Sequence, residues 1–403
     1  MRYFLCFILV LTSLSFTSCN KSDDFFANIE QDRDDDEITG EDYVYHLPVI
    51  FHVLYQDKDA KDTCDRPSQY IPAQRLEEIL NNVNDLYKGE LYTFGKEGTE
   101  NSENIHVQFE LAQYDENGNK LATPGVEYIK YNEEYPINSN TFMTQKKKKN
   151  KIIWDPNEYI NVIVYNFKNE TGKNTVLGVS CMPYCVNGHP NIEGLETVKS
   201  NRISKNNLSF EYCVSLNSLY IYSESGRYKD VYHGAKGYTY TNTDANVTLA
   251  HEIGHYLGLH HVFAEEKNGQ DLSAADNCTD TDYCTDTKSY NKVEYDKWVT
   301  SYINMHTKLH DLDLRDLIRR SNDQGEIWNS DNFMDYAFSL SFRFTPEQRN
   351  RIRQVLYYSP LIPGPKKDRD TNYTRASESD EPMDLPIQLA VDRIPEQNHQ
   401  SIK

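Results

Sequence analysis

Residues 251–261 read HEIGHYLGLHH, and no other stretch of this chain restricts its local geometry as tightly. His251, Glu252, His255, Gly258 and His261 fall in the pattern H-E-x-x-H-x-x-G-x-x-H. His251 and His255 are four residues apart, so a helix stacks their rings on one face, one turn above the other. Glu252 follows on the adjoining face, where its carboxylate reaches a metal-bound water without ligating the ion. A helix carried past residue 258 would swing later side chains around the axis. Glycine permits the left-handed turn that ends it, and His261 then closes the set. Three imidazoles can hold zinc and leave a fourth position for water, whereas a closed structural site needs a fourth protein ligand. The alternative is a helix that carries surface or hydrogen-bonded core histidines. With 12 His and 18 Gly in 403 residues, a shuffled chain shows the full pattern on the order of a few times in 100,000. Val247, Leu249, Ala250, Ile253, Tyr256, Leu257 and Leu259 supply the apolar faces of a buried helix. His260 is one residue short of the ligand spacing and reads as a neighbour of the site.

Residues 331–336 read DNFMDY. The long histidine motif with a methionine turn downstream resembles the metzincin clan of metallopeptidases. Asn332, Met334 and Tyr336, the following FRFTPEQRNRIRQVL, His261-Val262-Phe263 and the early LPVIFHVLY resemble the pappalysin family in particular. The resemblance covers roughly residues 43–360. It implies an α/β fold: a twisted, mostly parallel sheet with one antiparallel edge strand, a zinc helix and an irregular C-terminal subdomain. It implies a zinc-dependent endopeptidase acting on protein or peptide substrates, with Glu252 as general base. Met334 would form an apolar floor under the histidines, and Tyr336 would lie beside the metal and donate to the tetrahedral intermediate. An extended substrate would add to the edge strand by backbone pairing, and residues 214–223 are expected near that edge. Two departures bear on the pocket wall and the disulfides. Relatives often carry Asp-Thr-Pro where this chain has Asp286-Thr287-Lys288, and often a cysteine after the methionine turn, where AFSLSFRF has none.

Arg2, an apolar run from Tyr3 to Phe16, and Thr17-Ser18-Cys19 read as a lipoprotein signal over residues 1–19, with Cys19 as the lipidation site. A plain signal peptide cut elsewhere is the alternative. Residues 20–42 are acidic and suit a flexible tether or pro-segment. The expected location is exported and lipid-anchored to a bacterial membrane, at the outer membrane or cell surface. A formal net charge of −20 argues against nucleic acid as a partner, and the basic run at Lys146–Lys149 and Lys151 reads as a solvated loop. Beyond Cys6 and Cys19, six cysteines remain: Cys64, Cys181, Cys185, Cys213, Cys278 and Cys284. In an exported chain they suggest disulfides, one among Cys181, Cys185 and Cys213 and one between Cys278 and Cys284. A structural zinc site built from four of them is the rival. Asp276, Asp280, Asp282 and Asp286 offer hard oxygens to calcium, which some pappalysin relatives use. His306 and His310 are four apart and read as surface histidines.

Strands are expected over 43–55, 104–113, 159–167 and 214–223, helices over 72–88 and about 246–258, and helical structure within 288–325. The catalytic domain is taken as 43–361. Residues 362–403, with little apolar periodicity, are expected to be a disordered tail. Oligomeric state is not readable from the sequence.

Overall fold

The computed structural model describes residues 40–91, 102–146, 152–169, 174–188, 190–228, 239–306, 312–335, 338–366, 381–394 and 401–402. Cys19, the signal and most of the 20–42 tether, Lys147–Lys149 and Lys151, His310 and Tyr336 lie outside the described residues.

One sheet organises the molecule. Its strands are β1 (Tyr45–Tyr55), β2 (Val107–Leu111), β3 (Val126–Lys130), β4 (Ile160–Tyr165), β5 (Thr175–Cys181), β8 (Val214–Asn217), β10 (Glu265–Asn268), β11 (Asp271–Ala274) and β14 (Leu389–Ile394). The order is β10-β11-β14-β5-β8-β4-β1-β2, with β3 also on β1. β1 pairs in parallel with β2, β3 and β4, and β4 with β8. β5 runs antiparallel to β8. Short pairs lie outside this sheet: β6 (Tyr184–Val186) with β7 (Glu196–Val198), β9 (Tyr240–Thr241) with β15 (Ser401–Ile402), and β12 (Arg319–Ser321) with β13 (Ile327–Asn329). The apolar run of β4 is buried throughout, as a central parallel strand covered on both faces requires.

The helices are α1 (Ala73–Lys88), α2 (Ser139–Thr144), α3 (Ala245–Tyr256), α4 (Lys292–Met305), α5 (Leu314–Leu317) and α6 (Pro346–Tyr358). In α1, Leu76, Ile79, Leu80, Val83 and Leu86 recur at helical spacing and are buried, and Gly89 ends the helix at φ 71°. Helix α3 is wrapped on nearly every side, only Val247 standing outside the buried set. Asp244 caps it by accepting from the Asn246 N–H, a contact contributing about 1 kcal/mol. The main core joins the sheet to α1, α3 and α6. A second core of Leu177, Phe263, Tyr290, Tyr295, Leu317 and Phe338 lies on the other side of the site.

The sheet is mostly parallel with an antiparallel edge strand, β10 on β11, while the antiparallel strand β5 lies inside it, covered by β14. Three expectations need correction. The segment 214–223 is not one edge strand: β8 is interior and stops at Asn217, whose side chain accepts from the Leu219 N–H and donates to the Val176 carbonyl, starting a 3-10 turn. Within the supposed tail 362–403, residues 381–394 are ordered and end in β14. Long-range pairing with β5 supplies the order that local periodicity lacked. Finally, the six cysteines from Cys64 to Cys284 are free thiols. Cys181 and Cys213 both point at the Glu211 carbonyl, each at 3.6 Å, and the Cys185 sulfur meets the Ile192 backbone.

Among the described residues, no helix is long and apolar enough to cross a membrane.

Candidate metal centre

Helix α3 places His251 and His255 on one face, as their spacing requires. It ends at Tyr256, two residues earlier than the sequence suggests, and Gly258 turns the chain at φ 92°. A Cβ on Gly258 would stand 2.6 Å from Val355 Cγ2 of α6, so both backbone conformation and packing demand glycine there. Arg351, also on α6, donates from Nε to the Gly258 carbonyl at 2.6 Å and fixes the exit of the turn. His261 is thereby returned to the other two rings.

The three Nε2 atoms form a triangle: 2.9 Å between His251 and His255, 3.0 Å between His255 and His261, 3.1 Å between His251 and His261. Each Nδ1 faces an acceptor. His251 Nδ1 donates to the Phe333 carbonyl at 2.7 Å, His255 Nδ1 to the Leu259 carbonyl at 2.7 Å, and His261 Nδ1 to Glu265 Oε1 at 2.5 Å. A carbonyl can only accept, so these nitrogens carry the protons. Burial holds all three rings well below the usual histidine pKa, His251 at about 4, so they are neutral near pH 7. A neutral imidazole has one N–H. The Nε2 atoms are therefore bare, and three lone pairs converge on one point. Such a cluster is repulsive by itself and is satisfied by a cation. His251, His255 and His261 would hold a zinc ion through these nitrogens, and three protein ligands would leave it a position for water. Among the described residues, this is the one group of three or more His, Cys, Asp or Glu side chains that converges so as to hold an ion.

Glu252 is fully buried beside the triad, and among the described residues neither of its oxygens has a hydrogen-bond partner of ordinary geometry. Burial, and then the Asp392 carboxylate, push its pKa well up, while the Asp392 backbone N–H opposes them. Its side chain lies across Gly178 of β5: a Cβ there would come within 2.5 Å of Glu252 Cγ and Oε1. Gly178 thus reserves the space for the carboxylate, a role that nothing in the local sequence announced. Glu265 was missed as well. It is 8 % exposed, orients His261 and also faces His260 Nδ1 at 3.5 Å. Its signal was present, since it follows His261 by four residues, but the chain folds those residues as a turn and strand and not as a helix.

Met334 lies under the zinc helix. A Cβ on Gly254 would meet its sulfur at 2.6 Å, so the turn and helix touch closely at that point. Besides Phe333, which holds His251, the Met334 carbonyl accepts from the Val262 N–H at 3.1 Å. Asn332 exchanges two hydrogen bonds with Gln348 of α6 and accepts from the Met334 N–H. Next to it, Asp335 is buried against Arg320, Tyr290 and Ser330.

The acidic loop is dispersed. Asp286 accepts from Thr345 and the Glu347 N–H at the start of α6, Asp276 accepts from Asn291, and Asp282 is buried, accepting from the Cys284 N–H and Thr287. His306 Nδ1 is spent on the Tyr302 carbonyl.

A family model described as pregnancy-associated plasma protein-A, of peptidase family M43, matches residues 219–357, which contain the triad, Glu252 and the methionine turn. Over these residues the chain is similar to the pappalysin family of metallopeptidases. Proteins named extracellular metalloprotease in Arthroderma benhamiae and Trichophyton verrucosum are each 33 % identical to it over 115 residues, 28 % of this chain and 32 % of theirs. The chain thus spans about a third of the length of these curated relatives. A structure of Tannerella forsythia mature mirolysin in complex with a cleaved peptide aligns at 17 % identity and a TM-score of 0.46, covering 77 % of this chain and 90 % of that one. A T. forsythia promirolysin mutant aligns at 15 % and 0.42, covering 79 % and 81 %. The pappalysin match and the converging histidines agree on zinc as the metal.

Proposed function

We infer that this protein is a zinc-dependent endopeptidase that hydrolyses protein or peptide substrates. One observation carries the reading: the three Nε2 atoms converge to within 3.1 Å of one another beside the buried carboxylate of Glu252. When bound, zinc supplies a water of lowered pKa and polarises the scissile carbonyl. His251, His255 and His261 hold the ion, their Nδ1 hydrogen bonds fixing tautomer and ring orientation. Glu252 takes the proton of the attacking water and passes it to the leaving amine. Gly178 and the wall of β5 keep that carboxylate where it can do so. Tyr336, two residues past Met334, is proposed to donate a hydrogen bond to the developing oxyanion.

The rival reading is a binding protein with structural zinc on an inactive protease fold. Three protein ligands among the described residues leave one position free, and an intact Glu252 serves no purpose at a structural ion. Incubation of denatured protein with the wild type, Glu252→Gln and Tyr336→Phe, each with and without chelator, separates the two. The wild type should cleave in a chelator-sensitive way. Glu252→Gln should keep its zinc and lose at least a thousandfold in kcat, and Tyr336→Phe should lose about tenfold to a hundredfold. Zinc without cleavage in the wild type favours the rival.

Two finer proposals accompany this one. Export with lipid on Cys19 rests on the apolar run and small residues before it; metabolic labelling with a fatty-acid analogue should mark the wild type and not Cys19→Ser. A structural calcium on the loop of Asp276, Asp280, Asp282 and Asp286 rests on several carboxylates at short spacing, with the Asp282 N–H donating to Asp280. Calorimetric titration with calcium should show a site that Asp282→Asn abolishes.

A further inference from the structure

We propose that the C-terminal segment 381–394 is a built-in occupant of the substrate groove that keeps the metal centre closed until it is displaced. The proposal rests on the peptidase reading above and adds its regulation. The first observation is the sheet order. β14 stands between β5 and β11, and without it β5 is the edge of the sheet beside the zinc helix. β14 runs antiparallel to β5, from Leu389 opposite Cys181 to Asp392 opposite Gly178, and Gly178 is the residue on which Glu252 lies. A peptide adding to that edge needs the same ladder of backbone groups. Two strands cannot share it.

The second observation is burial. His251, His255 and His261 are at most 1 % exposed, and Glu252 is at 0 %. A hydrolytic centre needs water and substrate at its open position. The segment that lies against the site is β14: Asp392 stands opposite Gly178, against which the Glu252 side chain packs. Asp392 also lines a small cavity shared with Thr248, His251 and Asp335, and among the described residues its Oδ1 has no hydrogen-bond partner. A strand built only to complete a sheet gains nothing by burying that acid.

The third observation is the way the segment is held. Leu389, Ala390 and Val391 enter the main core and Ile394 the second core, so the segment bridges the two walls of the site. Around these lie exposed or half-buried polar latches: Arg393 to Asp271 at 2.8 Å, Lys146 to Asp384 at 3.0 Å, and the Leu389 N–H to the Gln270 carbonyl at 2.7 Å. Further on, β15 pairs with β9, whose Tyr240 and Thr241 line the same cavity. The tail is therefore fastened on both sides of the centre it covers.

The test uses the zinc-loaded full chain and two variants. Val391→Asp puts a charge into the apolar grip, and Arg393→Glu turns the pair with Asp271 into repulsion. In both, amide exchange in β5 should accelerate about tenfold or more while exchange in β4 and α3 stays unchanged. Hydrolysis of a mixed peptide library should rise about tenfold, as apparent affinity recovers the time the groove was closed. The synthetic peptide LPIQLAVDRI, added in trans, should return both readings to the wild-type values, and a scrambled peptide should not. Unchanged β5 exchange in both variants, or faster β5 exchange with chelator-sensitive hydrolysis no quicker than wild type, makes β14 a permanent strand and overturns the proposal. If Val391→Asp also loses protection in β4, it has unfolded, and Arg393→Glu decides alone. Absence of hydrolysis in every zinc-loaded form sinks the peptidase reading and this proposal with it.

Discussion

At the scale of single residues, the site is built by two that carry no chemistry of their own. Gly178 leaves the volume that Glu252 fills, with less than 3 Å between the Glu252 side chain and any Cβ added there. In Gly178→Ala the carboxylate has to move, and a displacement of about 1 Å at a general base costs about a hundredfold in rate. We expect kcat to fall by that order with bound zinc unchanged. An unaltered kcat would remove Gly178 from the site. Glu265 acts through His261, whose ring it turns toward the other two by a 2.5 Å hydrogen bond. Glu265→Gln keeps the volume and weakens the acceptor. Competition with a chelating dye should show zinc affinity reduced by about 10–100-fold, and an unchanged affinity would show that the ring is held by packing alone. The ligands and Glu252 were legible in the sequence because their spacing on one helix is a local matter. Gly178 was not, because its partner lies more than 70 residues away and a glycine in an apolar strand carries no mark of what it faces.

At the scale of elements, the methionine turn behaves as a bracket between α3 and α6. Its backbone accepts from His251 and from Val262, while Asn332 is locked to Gln348. Immediately beyond it, Arg320 is fully buried and Asp335 is 2 % exposed, and the Arg320 guanidinium stacks 3.8 Å from the Tyr295 ring. Asp335→Ala leaves that guanidinium without its counter-charge, although the Leu317 and Phe338 carbonyls still accept from it. A loss of about 3–5 kcal/mol is expected for a buried pair broken on one side, read as a lower midpoint in denaturant unfolding. A midpoint within error of the wild type would mean that the two carbonyls suffice. The strands and the long helices were anticipated from periodicity, and their ends were less so. β8 stops at Asn217 and α3 at Tyr256 because side-chain caps and a positive-φ glycine compete with the regular pattern at those points.

At the scale of the whole molecule, the decisive feature is that the chain returns to its own centre. The net charge of −20 and the histidine motif set the expectation of an acidic metallopeptidase open to substrate. The fold instead seats β14 where a bound peptide is expected, and the tail-unseating variants described above measure whether that strand yields. Local sequence determined the spacing of the three histidines, the place of Glu252 among them, the turn at Gly258 and the strands of the parallel half, because each follows from spacing within one element and from the burial of an apolar face. Tertiary structure alone decided the occupant of the β5 edge, the room for Glu252, the acceptor behind His251 and the fate of the cysteines. Those are contacts between segments far apart in the chain. Their free energy comes from pairing and burial that exist only once both partners are in place, so neither partner alone carries a periodicity that announces them.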